Sequence, residues 1–223
     1  IAEVKLRSPA VGQLQSADGA SAAERALAYA KAGAAAVSVL TEPSRFDGSM
    51  ADLVAVAASL TSVAVPAMRK DFLVDSYQVL EARAAGAGGV LVILRMLRRN
   101  VLAQLIDTAV EQGLFVLLEA FDEQDIELAE SLVTERAAAK QQLLVGVNCR
   151  DLVTLQVVPG RLEALAPRLP ANILRVAESG VTTESDAARM AACGYDLALV
   201  GSALMTHANP AALLANMLAA ARR

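Results

Sequence analysis

The chain has 223 residues, which is enough for one large domain with a substantial core and short for two. Hydrophobic residues make up 55% of it, yet no segment approaches the roughly 20 uninterrupted apolar residues of a membrane span. The net charge of −4, the 3% of aromatic residues and the lack of a long basic run exclude a nucleic-acid binder. We expect a single domain over residues 1–223.

Short apolar runs alternate with helical patterns along the whole chain, which predicts a parallel sheet. The predicted strands are Ile1–Lys5, Ala35–Leu40, Ala64–Met68, Gly89–Ile93, Phe115–Glu119, Leu144–Asn148, Leu174–Glu178 and Leu197–Val200. The predicted helices are Ala22–Ala32, Met50–Leu60, Ser76–Ala85, Val101–Gln112, Glu123–Val133, Arg161–Ala166, Thr183–Ala192 and Pro210–Ala221.

A glycine repeat gives the number of units. Gly33, Gly86, Gly113 and Gly194 each end a helical pattern and open an apolar run, at separations of 53, 27 and 81 residues. These separations lie within one residue of multiples of 27, and 223 residues hold about eight such units. Eight units close a parallel barrel, so the predicted fold is α/β, a single (β/α)8 TIM barrel. A doubly wound open sheet is the alternative, which the lack of a Gly-x-Gly-x-x-Gly turn after the first strand disfavours.

Cysteine and histidine usage restricts the chemistry. Cys149 and Cys193 have no metal-ligand spacing and are typical of free thiols in a cytoplasmic protein. One histidine, His207, excludes triads and metal sites that need several. Glu3 and Lys5 interrupt the first apolar run, so we expect no signal peptide. Catalysis would rely on Lys, Glu, Asn and Ser side chains, with no metal.

Six of the eight predicted strands end in polar or ionisable groups, which this fold delivers to one rim. Taken singly, each has an ordinary explanation as a solvated lysine, a salt-bridge partner or a turn residue. Taken together they favour a functional site centred on Lys70 and Glu119. The strand ends are Glu3 and Lys5, Arg69-Lys70-Asp71, Glu119, Asn148, Glu178-Ser179-Gly180 and Gly201-Ser202.

A phosphate site is predicted after the last two strands. Gly180 follows strand seven and Gly201-Ser202 follows strand eight, where barrels bind phosphate with backbone N–H groups and a short helix. Ala203-Leu204-Met205 would supply that helical turn, and Ser8 after strand one would add a hydroxyl.

Several runs, taken in chain order, resemble indole-3-glycerol-phosphate synthase, and the resemblance spans the chain. They are Ile1-Ala2-Glu3-Val4-Lys5, Ser8-Pro9, Phe46-Asp47-Gly48-Ser49, Arg69-Lys70-Asp71-Phe72, Asp75-Ser76-Tyr77-Gln78, Glu81 to Ala87, Gly146 to Leu152, Ala177-Glu178-Ser179-Gly180 and Val200 to Met205. The resemblance implies conversion of 1-(2-carboxyphenylamino)-1-deoxyribulose 5-phosphate to indole-3-glycerol phosphate, CO2 and water. It implies no cofactor.

The resemblance also implies catalytic roles. Lys70 would be the general acid of ring closure, and Glu119 the second acid–base residue, assisting dehydration. Lys5 would be a cation that lowers the pKa of Lys70, and would also hold the substrate carboxylate or phosphate. Glu3 would orient the lysine side chains.

The remaining implied residues bind substrate. Asn148 and Ser179 would hydrogen-bond the reacting part, Glu178 would support the polar ring, and Arg150 would bind the anthranilate carboxylate or steady its loop. The walls of the aromatic subsite would be Phe46, Phe72, Pro9 and Leu155.

The chain departs from the family's usual sequence in four places. Ala10 and Val11 stand where the first loop usually has Ser-Lys, so a basic residue is lost. Ala120-Phe121 follows Glu119 in place of a valine-histidine type pair, and Glu135–Gln142 replaces a shorter Gly-Ala turn. The family's N-terminal extension ahead of strand one is expected to be lacking.

The expected partner is a small phosphorylated substrate, and the expected state is a monomer in the cytoplasm. Fusion to, or association with, other tryptophan-pathway enzymes stays open. Two alternatives remain at this point. One is another phosphate-binding barrel isomerase, whose usual Cys or Asp base with an Asp acid does not fit Lys70 and Glu119. The other is a truncated or engineered barrel scaffold without turnover.

Overall fold

A computed structural model describes residues 1–9, 12–14 and 20–222, so Ala10 and Val11 of the first loop lie outside the described residues. The barrel strands are β1 (Ala2–Val4), β2 (Val37–Leu40), β3 (Ala67–Lys70), β4 (Gly89–Ile93), β5 (Phe115–Ala120), β6 (Leu143–Asn148), β7 (Leu174–Glu178) and β8 (Leu197–Leu199). The main helices are α1 (Ala22–Lys31), α2 (Met50–Leu60), α3 (Ser76–Ala84), α4 (Arg99–Glu111), α5 (Glu123–Glu135), α6 (Arg161–Leu165), α7 (Glu184–Ala192) and α8 (Pro210–Ala221).

The eight strands form one parallel sheet in chain order. The sheet closes on itself, because the backbone N–H of Glu3 donates to Val200 O at 2.8 Å and that of Val200 donates to Ile1 O at 3.0 Å. The predicted TIM barrel is therefore confirmed.

The glycine repeat has the expected backbone cause. Gly33, Gly86, Gly113 and Gly194 have φ angles of 103°, 86°, 70° and 90°, a left-handed conformation that glycine adopts without steric cost. Each follows the last turn of a helix and returns the chain to the next strand. This recurring helix ending sets the period of the barrel.

Two apolar cores hold the fold together. The larger lies between the sheet and the surrounding helices and includes fully buried Leu53, Leu102 and Leu105. The smaller fills the barrel interior, with Met68, Leu91, Leu117 and Val176 among others. Because the interior is packed with apolar side chains below, only its upper end is left for polar chemistry.

The third strand was predicted too early. Its predicted range was Ala64–Met68, but Ala64 has φ 53° and ends a 3-10 turn over Thr61–Val63. The strand runs instead over Ala67–Lys70, so Lys70 belongs to the strand itself. Its backbone is therefore fixed by hydrogen bonding to β2, opposite Leu40.

Several short elements add to the barrel. Arg7–Ser8 pairs with Gly12–Gln13 as a small hairpin, and Pro43–Phe46 forms a helical turn after β2. The helical turn predicted after strand eight spans Ser202–Thr206, and Ala137–Gln142 forms a 3-10 helix before β6. Among the described helices, none is long and apolar enough to cross a membrane.

Candidate active site

A cavity of about 340 Å³ opens at the carboxyl ends of the barrel strands. All sixteen residues that the sequence analysis proposed for the site line it. They are Glu3, Lys5, Ser8, Pro9, Phe46, Lys70, Phe72, Glu119, Asn148, Arg150, Leu155, Glu178, Ser179, Gly180, Gly201 and Ser202. The barrel thus brings together residues spread over some 200 positions of the chain.

Four ionisable side chains enter the barrel from alternate strands: Glu3 from β1, Lys70 from β3, Glu119 from β5 and Glu178 from β7. Inward-pointing residues of alternate strands form a layer in this fold, so the four lie at one level. The three glutamates are 1–3% exposed. The site is therefore a buried ring of charge, in which each group's protonation depends on the others.

Glu119 is the centre of the contacts in this ring. The side-chain amide of Asn148 donates a hydrogen bond to Glu119 Oε1 at 2.8 Å. The ammonium group of Lys70 lies 3.9 Å from the same oxygen. Asn148 is itself held, because its Oδ1 accepts from the backbone N–H of Arg150 at 2.9 Å. A carboxylate with a fixed donor and a nearby cation is suited to handling a proton at a defined position.

The expectation that the pKa of Lys70 is lowered was wrong. Burial does lower the pKa of Lys70, but the negative charges of Glu119, Glu3 and Glu178 together raise it above its ordinary value. The ammonium group of Lys5 is paired instead with Glu3 Oε1 at 2.7 Å. Lys70 is therefore charged at neutral pH and holds a proton to donate.

Glu3 is a buried carboxyl whose pKa falls below its ordinary value. Burial would raise it, but the charge of Lys5, then that of Lys70, the hydrogen bond from Lys5 and the charge of Arg150 outweigh burial and lower the pKa of Glu3. Glu3 is therefore an anion in the folded protein. It fixes Lys5 at the wall of the cavity.

Glu178 is in the opposite state. Both of its carboxyl oxygens are inaccessible and find no hydrogen-bond donor among the described residues. Burial first, and then the negative charge of Glu119, raise the pKa of Glu178 well above its ordinary range, although Lys70 partly opposes them. Glu3 and Glu178, two carboxyls of one ring, thus have environments that separate their protonation.

Two glycines make room for these carboxyls. A Cβ atom at Gly146 would lie 2.1 Å from Glu178 Oε1. A Cβ atom at Gly201 would lie 2.3 Å from Glu3 Oε1 and 2.9 Å from Lys5 Nζ. Any side chain at either position would displace a charged group of the ring.

The loop after β7 has an unusual backbone. Ser179 and Gly180 have φ angles of 65° and 73°, so two successive residues are left-handed. Such a conformation is costly for serine and is found where a loop must present its backbone or side chain in a set direction. Gly180 also packs closely, since a Cβ there would lie 2.9 Å from Cys149 Sγ.

The mouth of the cavity carries aromatic and cationic groups. The rings of Phe46 and Phe72 are 6.4 Å apart at a tilt of 45°. Arg150 is fixed by a 2.6 Å hydrogen bond from its guanidinium to Leu155 O. Arg45, directly before Phe46 on the helical turn, also lines the cavity and was not predicted from the sequence. An Arg directly before a predicted wall residue was the signal that could have found it.

Ala203, from the helical turn predicted after strand eight, also lines the cavity. Further cavity residues that were not predicted are apolar or small, namely Leu40, Ile93, Leu152, Val157, Val181, Thr182 and Leu199. The replacement at Phe121 lies inside the barrel core, with the guanidinium of Arg95 4.7 Å from its ring centre. Within the described parts of the chain, no three His, Cys, Asp or Glu side chains are grouped to hold a metal ion.

Comparison with known proteins places the chain in a family. The family model for indole-3-glycerol phosphate synthase matches residues 1–217. A relative of that name from a Nocardioides species is 47% identical over 210 residues, which cover 94% of this chain and 76% of the relative. Another of that name, from Mycobacterium tuberculosis, is 42% identical over 220 residues, which cover 99% of this chain and 76% of the relative.

Solved structures that are more distant in sequence share the fold. A 3-hexulose-6-phosphate synthase from Salmonella typhimurium aligns with a TM-score of 0.69 at 15% identity, covering 99% of this chain and 97% of that one. A thiamine phosphate pyrophosphorylase from Pyrococcus furiosus aligns with a TM-score of 0.67 at 16% identity, covering 90% and 89%. At such identities the likeness concerns the barrel alone. With the family model and the close relatives, it follows that this chain belongs to the indole-3-glycerol phosphate synthase family.

Proposed function

We propose that this cavity converts 1-(2-carboxyphenylamino)-1-deoxyribulose 5-phosphate to indole-3-glycerol phosphate, CO2 and water, with Lys70 and Glu119 as the main acid–base groups. Family membership supports the reaction. The observation that carries the residue roles is the contact set around Glu119, in which one carboxylate oxygen faces both Lys70 Nζ and the Asn148 amide. The alternatives of an isomerase or an inactive scaffold gain no support from the family or from these contacts.

Ring closure requires a proton donor. The ring carbon that bears the carboxylate attacks the substrate's carbonyl carbon, and the carbonyl oxygen takes up a proton as the new C–C bond forms. Lys70 supplies that proton from its charged ammonium group, which the surrounding carboxylates keep protonated. Loss of CO2 then restores the aromatic ring without a further proton donor.

Dehydration requires a base near the same carbon. The new hydroxyl group takes a proton from Lys70, which solvent has reprotonated, and leaves as water, while the neighbouring methylene carbon gives up a proton. Glu119 takes this proton, because the hydrogen bond from Asn148 holds its carboxylate towards the cavity. Asn148 and Ser179 also contact the reacting part, and Glu3 keeps Lys5 in place for an anionic group of the substrate.

The phosphate group binds at the loops after β7 and β8. Gly180 and Gly201 leave the backbone N–H groups open to an anion, and Ser202 begins the helical turn Ser202–Thr206. Ser8, buried in the hairpin after β1, adds its hydroxyl group from the side.

The anthranilate ring binds at the other side of the mouth. Phe46, Phe72, Pro9 and Leu155 give this side an apolar lining that suits an aromatic ring. Arg150, fixed by its bond to Leu155 O, is placed for the ring's carboxylate. Glu178 completes the polar ring beneath.

The same proposal extends to organisation. Residues 1–223 would form one barrel domain that acts as a monomer in the cytoplasm, where a small phosphorylated substrate of amino-acid biosynthesis is available. Size-exclusion chromatography with light scattering tests the monomer.

The test of the reaction is direct. Adding the carboxyphenylamino substrate should produce the fluorescence of an indole, and the rate should fall when inorganic phosphate competes for the phosphate loops. Phosphate binding without any indole signal would contradict the proposed function and favour an inactive scaffold.

A further inference from the structure

The feature that the proposed roles leave unexplained is the buried carboxyl group of Glu178. Glu178 on β7 and Glu119 on β5 are separated by β6, and the β6 residue opposite Glu119 is Gly146. A Cβ atom at Gly146 would lie 2.1 Å from Glu178 Oε1, so the carboxyl of Glu178 occupies the space above this glycine. The missing side chain lets two carboxyl groups from alternate strands meet within hydrogen-bonding reach.

The cations near Glu178 are committed to other groups. The ionisable groups that face it are Glu119 on β5, Lys70 on β3 and Glu3 on β1. The ammonium of Lys5 is committed to Glu3 at 2.7 Å, and that of Lys70 lies against Glu119 at 3.9 Å. Both lysines thus lie against carboxylates other than Glu178, and Arg150, whose charge acts on Glu3, is held at Leu155 O. Among the described residues no cation is paired with Glu178.

A buried carboxylate without a donor is costly, and a proton removes the cost. Both oxygens of Glu178 lack a donor among the described residues. Glu119, by contrast, accepts from Asn148 Nδ2 at 2.8 Å and has Lys70 nearby, and both contacts favour its ionised form. Of the two adjoining carboxyls, Glu178 is therefore the one that keeps a proton.

We propose that Glu178 and Glu119 form a carboxyl–carboxylate pair that holds one proton at neutral pH, with Glu178 as the protonated, positioning partner that donates to Glu119. The directions of the pKa shifts agree, since burial and the charge of Glu119 both favour the protonated form of Glu178.

This pair has a consequence for catalysis, which rests on the proposed function. A hydrogen bond donated by Glu178 stabilises the anionic form of Glu119 and so lowers its affinity for a proton. It also adds a second fixed contact to the one from Asn148. Glu178 thereby sets the pH range in which Glu119 can act as a base, without touching the reacting atoms itself.

The first test measures the proton without turnover. Infrared difference spectra of the unliganded protein at neutral pH, taken against Glu178→Gln, should contain the carbonyl stretch of one protonated carboxylic acid. The matched control is Glu3→Gln, which removes a buried carboxylate paired with Lys5 and should remove only carboxylate bands. Absence of the acid band from the wild-type protein at neutral pH would overturn the proposal.

The second test uses the pH profile of turnover. Glutamine is neutral and donates a hydrogen bond, so Glu178→Gln should lower kcat/KM at neutral pH by no more than about tenfold. Above the upper apparent pKa of the pair, wild-type kcat/KM should fall to a lower plateau as Glu178 ionises and no longer donates to Glu119, whereas the variant, which has no proton to lose there, should lack this step. A constant ratio of variant to wild type across this range would contradict the proposal.

The two tests separate the proposals. An acid band in a protein that does not turn over the carboxyphenylamino substrate would refute the proposed function and leave the proton pair standing. Turnover by a protein that shows no acid band would refute the proton pair and leave the proposed function standing.

Discussion

The ammonium group of Lys70 lies 3.9 Å from Glu119 Oε1, the oxygen that also accepts the amide of Asn148. That distance is long for a hydrogen bond and short enough for strong electrostatic attraction inside a protein. Lys70 is thus kept charged by Glu119 without being tied to it. Its proton remains available to a substrate oxygen that enters between them.

Replacing Lys70 by methionine should abolish the ring-closing step. Methionine keeps much of the length of the side chain but carries no proton, so kcat should fall by about 10²–10⁴. Glu119 retains its hydrogen bond from Asn148, so the thermal unfolding curve should change little. Indole fluorescence and circular dichroism measure the two effects. The control is Lys31→Met, at the exposed last turn of α1, which should behave as wild type. Activity that persists in Lys70→Met would disprove the role of Lys70 as the general acid.

Asn148→Asp should shift the pH dependence of activity. The substitution replaces a donor 2.8 Å from Glu119 Oε1 by a carboxylate, and like charge at this distance raises the pKa of Glu119. The acidic limb of the kcat/KM profile should move to higher pH, with a loss of about tenfold or more at neutral pH. An unshifted limb would show that Asn148 does not set the protonation of Glu119.

Glu178→Gln should make the protein more stable at alkaline pH. The pKa of Glu178 is raised on folding, so above the ordinary glutamate pKa the unfolded chain releases a proton that the native state retains. Stability from this group is present at low pH and is lost as pH rises towards the folded pKa. The Tm of the variant should therefore exceed that of the wild type at pH 8, and the gap should close below about pH 4. A gap that does not vary with pH would contradict this sign.

Gly146→Ala should damage both stability and activity through Glu178. The new methyl group would lie 2.1 Å from Glu178 Oε1, and such overpacking costs about 1–3 kcal/mol. The double variant Gly146→Ala/Glu178→Ala removes the overlapping atoms, so its Tm should recover relative to Gly146→Ala. Equal Tm values for the single and double variants would place the damage elsewhere.

Gly180→Ala should weaken phosphate binding. Alanine at φ 73° is strained, and its Cβ would lie 2.9 Å from Cys149 Sγ, so the loop must move. We expect KM and the inhibition constant of inorganic phosphate to rise about tenfold, which corresponds to about 1.4 kcal/mol. Gly160→Ala is a matched control, because φ is 75° there and nothing lies within 4 Å of the added atom. If both variants bind phosphate alike, the loop after β7 is not the phosphate site.

The fold could be predicted from the sequence because its signals are local. A left-handed glycine after each of four helices, such as Gly86, marks the period without any knowledge of tertiary contacts. Helix starts at Asp75 and Thr183 are equally local, since both form capping boxes with their own helices. The strand around Lys70 was misplaced because Ala64 gives no sign in its sequence that it adopts φ 53°.

The site could be predicted from the sequence only in part. Strand-end position predicts which residues meet at the rim, but not which of them share a proton. Lys5 and Lys70 are both lysines at strand ends, but Lys5 is paired with Glu3 and Lys70 lies against Glu119. Arg45 was overlooked because its helical turn, Pro43–Phe46, is too short to show a periodic pattern. Protonation depends on distances across the barrel, and these have no signature in the chain order.

The closure of the barrel also determines when the site forms. Glu3 and Gly201 stand on opposite sides of the junction between β1 and β8, which is joined by bonds such as that from Glu3 N to Val200 O, nearly 200 residues apart. During synthesis β1 emerges before β8, so the outer edge of β1 has no strand to pair with until β8 has been made. Contacts this distant in sequence form late in folding. An unfinished or opened barrel would therefore keep most of its helices and strands while lacking the assembled ring of charge, so activity reports on complete folding of this chain more sharply than its secondary structure does.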